Sequence, residues 1–285
     1  MKQILYLIIL CIFLAGCRGT QKKNDHEGDK PMVSVTIEPF RYFVNQIAGD
    51  KVDVNVMVPA GSNPETYEPT PQQMMKLSES ALYLKVGKIG FEETWMKKLT
   101  DNAPDMKVED TSVGITPVKT AGGIADPHTW MSIRSARTIA KNICKSLCAL
   151  LPADSTLFKS NCSKWAARLY TLEQQLQQVM DNSGKGHVES FVIYHPALTY
   201  FARDYALNQL PIEEEGREPS IAQIKALVEK AKRENITTVF IQKEFANRNT
   251  QTFLDATHAR ATEINPLSYE WEKEMIFIAK NLTKK

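Results

Sequence analysis

From about residue 31 onward, the spacing of apolar residues switches repeatedly between a period of two and a period near 3.6. These switches predict alternating strands and helices. Val52, Val54, Val56 and Val58 alternate with Asp53, Asn55 and Met57, which is a strand pattern; 33–37 and 81–86 read as two more strands. Helical spacing runs over 39–48 and 91–99. Thr70-Pro71-Gln72-Gln73 has the form of a helix start, with Thr as cap, Pro at the first helical position and Gln three residues after the cap. Ser132 is placed to cap a helix whose stripe is Ala136, Ala140, Ile143, Leu147 and Leu150. After Pro152 comes the longest element, 153–181, with a seam of Phe158, Cys162, Trp165, Leu169, Leu172, Leu176 and Val179. At ~1.5 Å per residue such a helix reaches roughly 40 Å, the length of two lobes. The seam lasts about three heptads, short for a coiled coil, so packing within one chain and a monomer are expected. Asn182-Ser183-Gly184-Lys185-Gly186 breaks the helix. The alternation then resumes: strand 188–194, helices 197–205 and 220–233, strand 237–241, helix 249–258, a short strand ending at Ile264, and helix 269–282. The order implies an α/β protein with a parallel sheet on each side of the long helix. The expected divisions are an N-terminal lobe over 31–152, a linking helix over 153–181 and a C-terminal lobe over 182–285.

The first residues follow a different rule. Met1-Lys2 is a short positive start, Ile4 to Leu14 is apolar, and Leu14-Ala15-Gly16-Cys17 follows. The run is shorter than the ~20 residues that span a bilayer and has the layout of a secretory leader over 1–16. Its ending resembles a bacterial lipobox, which implies lipidation at Cys17 and an exported chain held at the cell envelope, periplasm or cell surface, by its lipid alone. Residues 18–30 hold no large apolar side chain and read, with Cys17, as a flexible tether. His26 within it reads as solvated.

Composition narrows the class without naming it. At 43% hydrophobic and 24% charged, the chain is ordinary globular material. Without the leader it carries 34 basic and 33 acidic residues, so no basic field argues for nucleic acid. Besides Cys11 and Cys17 there are three cysteines, Cys144, Cys148 and Cys162, an odd number that leaves at least one unpaired in a monomer. Their bland reading is as small apolar residues.

Candidate chemistry falls where strands end. Glu65 follows the strand ending at Val58, His195 follows Tyr194, Gln242 and Glu244 follow Ile241, and Asn265 follows Ile264. His128 sits in the loop Asp126-Pro127-His128-Thr129-Trp130. Open α/β sheets bind ligands beyond the carboxyl ends of their strands. A cleft between the lobes would therefore collect Glu65 and His128 from one side and His195 and Asn265 from the other. Imidazole with carboxylate suits zinc, and also manganese or iron. By spacing alone, scattered single histidines are more often helix ends or satisfied core groups. No His-Glu-x-x-His, Gly-x-Ser-x-Gly or Gly-rich phosphate loop is present.

A set of local motifs changes that balance. The segment 58–71, Val-Pro-Ala-Gly-Ser-Asn-Pro-Glu-Thr-Tyr-Glu-Pro-Thr-Pro, resembles the first metal loop of the zinc and manganese substrate-binding lipoproteins of ABC transporters. Asp126 to Trp130 resembles their second, and Tyr194-His195-Pro196-Ala197 with Tyr200-Phe201 their third. Glu218-Pro219-Ser220, Val239-Phe240-Ile241 and Asn265-Pro266-Leu267 follow in the family's order. The resemblance implies two α/β lobes joined by one long rigid helix, with a divalent metal buried between them and Glu65, His128, His195 and Asn265 as its ligands. It implies capture rather than catalysis, and delivery to an integral-membrane permease driven by a cytoplasmic ATPase. Two positions depart from the family: Glu65 stands where His is usual and Asn265 where Asp is usual. An amide is a weaker ligand than a carboxylate, so Asn265 is expected at the edge of the shell, with water or Glu244 as its replacement. The stretch 116–125 has no His, so the metal-gathering loop of the family's zinc members is absent. The alternatives are a zinc-dependent hydrolase of the envelope, with the fourth position open to water, and a metal-independent surface adhesin.

Overall fold

The computed structural model describes residues 30–120, 122–181, 189–213, 219–242 and 248–284. The leader, Cys17, the tether up to residue 29, Glu218 and Glu244 lie outside these residues. Among the described residues, no helix is long and apolar enough to cross a membrane.

Pro31–Lys285 forms one compact unit. Its first sheet is built from β1 (Met32–Val35), β2 (Asp53–Val56), β3 (Ser80–Lys85) and β4 (Lys107–Asp110), all parallel, in the order β2-β1-β3-β4. The second is built from β5 (Ser190–Ile193), β6 (Asn208–Pro211), β7 (Thr238–Gln242) and β8 (Arg260–Ile264), in the order β6-β5-β7-β8. The two sheets share one connectivity. In each, the chain starts at an inner strand, steps to one edge, then crosses to the other side. Such a reversal opens a crevice at the carboxyl ends of the two inner strands.

The helices are α1 (Glu38–Ala48), α2 (Pro71–Leu77), α3 (Gly90–Asn102), α4 (Ile133–Leu150), α5 (Ser155–Asp181), α6 (Thr199–Asp204), α7 (Ile221–Arg233), α8 (Arg248–Thr257) and α9 (Trp271–Leu282). Local chemistry explains where several begin. Thr70 accepts from Gln73 N while the Gln73 side chain accepts from Thr70 N, the capping box expected there. Ser220 and Gln223 repeat the box at the matching helix of the second lobe. Ser132 caps α4 through Ser135 N.

Helix α5 is the predicted linking helix, entered through a 3-10 turn at Pro152–Asp154. Its buried face is Phe158, Trp165, Leu169, Leu172, Leu176 and Met180. Met180, rather than Val179, closes the seam: at the end of a helix with 3.6 residues per turn, a strict 4-3 step has drifted off the buried face. The helix packs against α4, α1 and α9. Phe43, Trp165 and Trp271 meet there with ring centroids 4.9 and 5.1 Å apart. One apolar cluster runs from Val33 of β1 through this helical layer to Phe240 and Ile264 of the second sheet. The lobes are thus joined by core, not by a flexible strap. Cys144, Cys148 and Cys162 are free thiols. Burial, with Cys162 and Cys148 beside it, pushes the Cys144 thiol up to about 12. That suits its reading as a packing residue.

Two strands escape the periodicity. In β4, Lys107-Val108-Glu109-Asp110 offers one apolar residue in four and lies at a sheet edge. In β6, Asn208-Gln209-Leu210-Pro211 ends in a proline, tolerated because this strand is also an edge.

Candidate metal centre between the lobes

The loops that leave the carboxyl ends of both sheets meet across a cleft of about 1040 Å³. Glu65, His128 and His195 line it, and one ligand atom from each lies within 4.8 Å of the other two. Nε2 of His128 and Nε2 of His195 are 3.2 Å apart. Two nitrogens bound to one tetrahedral zinc at ~2.05 Å would sit about 3.3 Å apart.

Each imidazole is backed by a buried carboxylate. His128 Nδ1 lies 3.0 Å from Asp126 Oδ1, and His195 Nδ1 lies 3.2 Å from Glu213 Oε1. The network assigns the proton to Nδ1 in both rings and leaves both Nε2 atoms as acceptors facing each other. Two lone pairs at 3.2 Å repel unless a cation sits between them, either a proton or a metal. Burial disfavours the His128 imidazolium, but the charge and hydrogen bond of Asp126, aided by Glu65 and Glu213, outweigh it and hold His128 above its ordinary pKa.

Asp126 is itself fixed from three sides. Its Oδ1 accepts from His128 N at 2.8 Å, and its Oδ2 accepts from the Thr199 hydroxyl of the other lobe at 2.7 Å. Its carbonyl accepts from Tyr200 Oη at 2.9 Å. Burial opposes the charge on Asp126, but these donors and His128 hold the carboxyl below its usual range. His195 is held at its backbone: its N donates to Gln242 Oε1 and its O accepts from Gln242 Nε2 at 2.7 Å. Gln242, the last residue of β7, thus fills the crevice of the second sheet. Glu92 does the same in the first. Its carboxylate accepts from Val86 N at 2.7 Å, from Gly87 N at 2.9 Å and from the Thr36 hydroxyl, which also bonds Tyr83 Oη.

Glu65 comes from the loop after β2. Its Oε2 accepts from Gly90 N at 3.0 Å. Its Oε1 is buried and has no hydrogen-bond partner among the described residues. A buried carboxylate oxygen left unpaired is costly, and a cation at the imidazole pair would satisfy it. The donor set of two imidazoles and one carboxylate fits zinc, and after it manganese or iron.

Asn265 is not presented with these three. It is exposed and does not line the cleft. Its Oδ1 accepts from Leu267 N at 3.0 Å, and its N donates to Glu274 Oε1 at 2.7 Å. The amide oxygen is spent on the turn into α9. This turn also locks the lobes: Trp130 Nε1 donates to Pro266 O at 2.8 Å, and Trp271 Nε1 donates to Trp130 O at 3.0 Å. Sequence reasoning missed two functional neighbours. Asp126 was visible in its motif but was not assigned a role. Glu213 follows β6, the strand hidden by its proline, so the rule that ligands gather at strand ends had no strand to act on.

Fold and site together define a class: two-lobed binding proteins with transition-metal donors in the cleft between parallel-sheet lobes. Residues 33–282 match the family described as zinc-uptake complex component A, periplasmic, and the chain belongs to that family. The manganese ABC transporter substrate-binding lipoprotein PsaA of Streptococcus mitis is 28% identical over 269 residues, covering 89% of this chain and 85% of its own length. The zinc-binding lipoprotein AdcA of Streptococcus pneumoniae is 27% identical over 294 residues, covering 96% of this chain and 57% of its own. The crystal structure of ZnuA superposes with a TM-score of 0.85 at 36% identity, covering 90% of this chain and 98% of that one. A ZnuA deletion mutant with zinc bound gives the same TM-score and identity.

Proposed function

We propose that this protein captures a divalent transition metal, zinc foremost, outside the cytoplasmic membrane and hands it to the permease of an ABC transporter. Glu65, His128 and His195 bind the ion, each histidine through Nε2 and the glutamate through Oε1. Asp126 and Glu213 keep the histidines in the tautomer that can bind, and Asp126 raises the basicity of His128. Asn265 braces the turn beside the site. The leader and Cys17 place the working part outside the membrane on a lipid tether, as a monomer. The observation that carries this reading is the pair of carboxylate-backed imidazoles facing each other at 3.2 Å beside an unpaired carboxylate oxygen. The family's standing as a group of transport substrate-binding proteins supports binding and release over turnover.

The test is metal analysis of protein purified without added metal, followed by calorimetric competition among zinc, manganese and iron. The expected result is one equivalent bound, zinc retained in competition, and binding weakened at least tenfold in His128→Ala and in His195→Ala. Absence of stoichiometric metal, or unchanged affinity in both variants, would refute the reading.

A further inference from the structure

The ligand Glu65 rests on a residue with no side chain. Gly90 opens α3, and its N–H donates to Glu65 Oε2. The next residue, Phe91, donates its N–H to Pro64 O at 2.9 Å. The loop carrying Glu65 therefore lies directly on the first turn of α3, where orphan backbone donors favour a carboxylate. A methyl group at Gly90 would meet Glu65 Oε2 at 2.5 Å, Glu65 O at 2.8 Å and Glu65 Cα at 3.0 Å. Two of those atoms are backbone and cannot swing aside. Gly90 has no positive φ that would itself demand glycine, so close approach to Glu65 accounts for its identity.

We propose that Gly90 is a positioning residue for metal capture: its bare backbone seats Glu65 and engages Oε2, so that Oε1 alone is offered to the metal. This rests on the metal-binding reading of Glu65 above. A carboxylate held by one oxygen is a monodentate ligand, suited to a four-coordinate ion, and Gly90 sets that geometry. Glu92 anchors the platform by tying the first turn of α3 to the ends of β1 and β3 through Thr36, Val86 and Gly87.

The experiment is a zinc-affinity cycle, by competition with a chromophoric chelator, on wild type, Gly90→Ala, Glu65→Gln and the double variant, with the apo fold checked by circular dichroism. Gly90→Ala is expected to weaken zinc binding by about tenfold or more, the usual cost of removing a partner that orients a ligand. The double variant is expected to bind no more weakly than Glu65→Gln alone, because both changes act through one carboxylate. Wild-type affinity in Gly90→Ala, or losses that add in the double variant, would overturn the proposal. Unchanged affinity in Glu65→Gln would instead remove the metal role of Glu65, and the proposal with it. Should Gly90→Ala not fold, Glu65→Asp serves in its place. One methylene shorter, it cannot hold Gly90 N and the metal together, so loss comparable to Glu65→Gln is expected and wild-type affinity would overturn the idea.

Discussion

Glu92 gives the account a quantitative handle that does not depend on metal. Its side chain is buried, and burial raises its carboxyl to about 7 despite the Thr36, Gly87 and Val86 hydrogen bonds that favour the charged form. The unfolded chain keeps the ordinary 4.5. A folded value above the unfolded one means the native state holds its proton longer. The stabilisation from that proton is complete below pH 4.5 and is lost as pH rises through 7. A shift of about 2.5 units corresponds to about 3.4 kcal/mol in full, of which about 2.5 kcal/mol falls between pH 5 and pH 8. His128, also held above its ordinary value, pushes in the same direction, so the wild-type curve alone does not isolate Glu92. Asp126, held below its ordinary value, acts only below about pH 4. The assay is urea unfolding with chelator present, at pH 5, 6, 7 and 8, for wild type and Glu92→Gln. The variant has a lower plateau, since an amide cannot accept from both Val86 N and Gly87 N. Its stability should nevertheless fall with pH by about 2.5 kcal/mol less than that of the wild type. Parallel curves would refute the reasoning.

Three further outcomes follow from the geometry. Asp126→Asn and Glu213→Gln should each weaken zinc binding by about 10- to 100-fold, by loosening the tautomer and orientation of His128 and His195; isothermal titration at pH 7.5 measures this. Asn265→Ala should leave zinc affinity within about twofold of wild type while Glu65→Gln loses tenfold or more, because Asn265 Oδ1 serves Leu267 N whereas Glu65 Oε1 is free for the ion. Trp130→Phe leaves a smaller aromatic ring in a fully buried site and strands Pro266 O; the stranded carbonyl alone should cost about 1–3 kcal/mol in denaturant unfolding, with the void adding to it.

The elements with strong patterns were legible in the chain: the alternating valines of β2, the Thr70 cap, and the seam of α5. The matching duplication of the two sheets was not. It depends on β4 and β6, edge strands whose exposed faces need no apolar alternation and so leave no period to read. Visible strand ends pointed to Glu65 and His195, while His128 was read from its loop motif, because the strand before it, β4, left no period. Asn265 was placed by its strand end and by motif order alike. Its amide turned out to be committed to a local turn, a choice that spacing does not record. Gly90 carried no signal, because what makes it necessary is the approach of a loop 25 residues upstream. Glu92 was hidden for a related reason. A glutamate in the first turn of a helix normally points to solvent, and only the crevice between β1 and β3 draws this one inward.

A crystal structure of the zinc-loaded protein shows directly which atoms hold the metal. The expected result is one ion bound to Nε2 of His128 and Nε2 of His195 at ~2.0–2.1 Å and to Glu65 Oε1 at ~2.0–2.2 Å. Asp126 and Glu213 should still sit on the Nδ1 atoms, and Asn265 Oδ1 on Leu267 N. Zinc bound elsewhere, or a Glu65 oxygen beyond about 3 Å from an ion held by the two histidines, would contradict it.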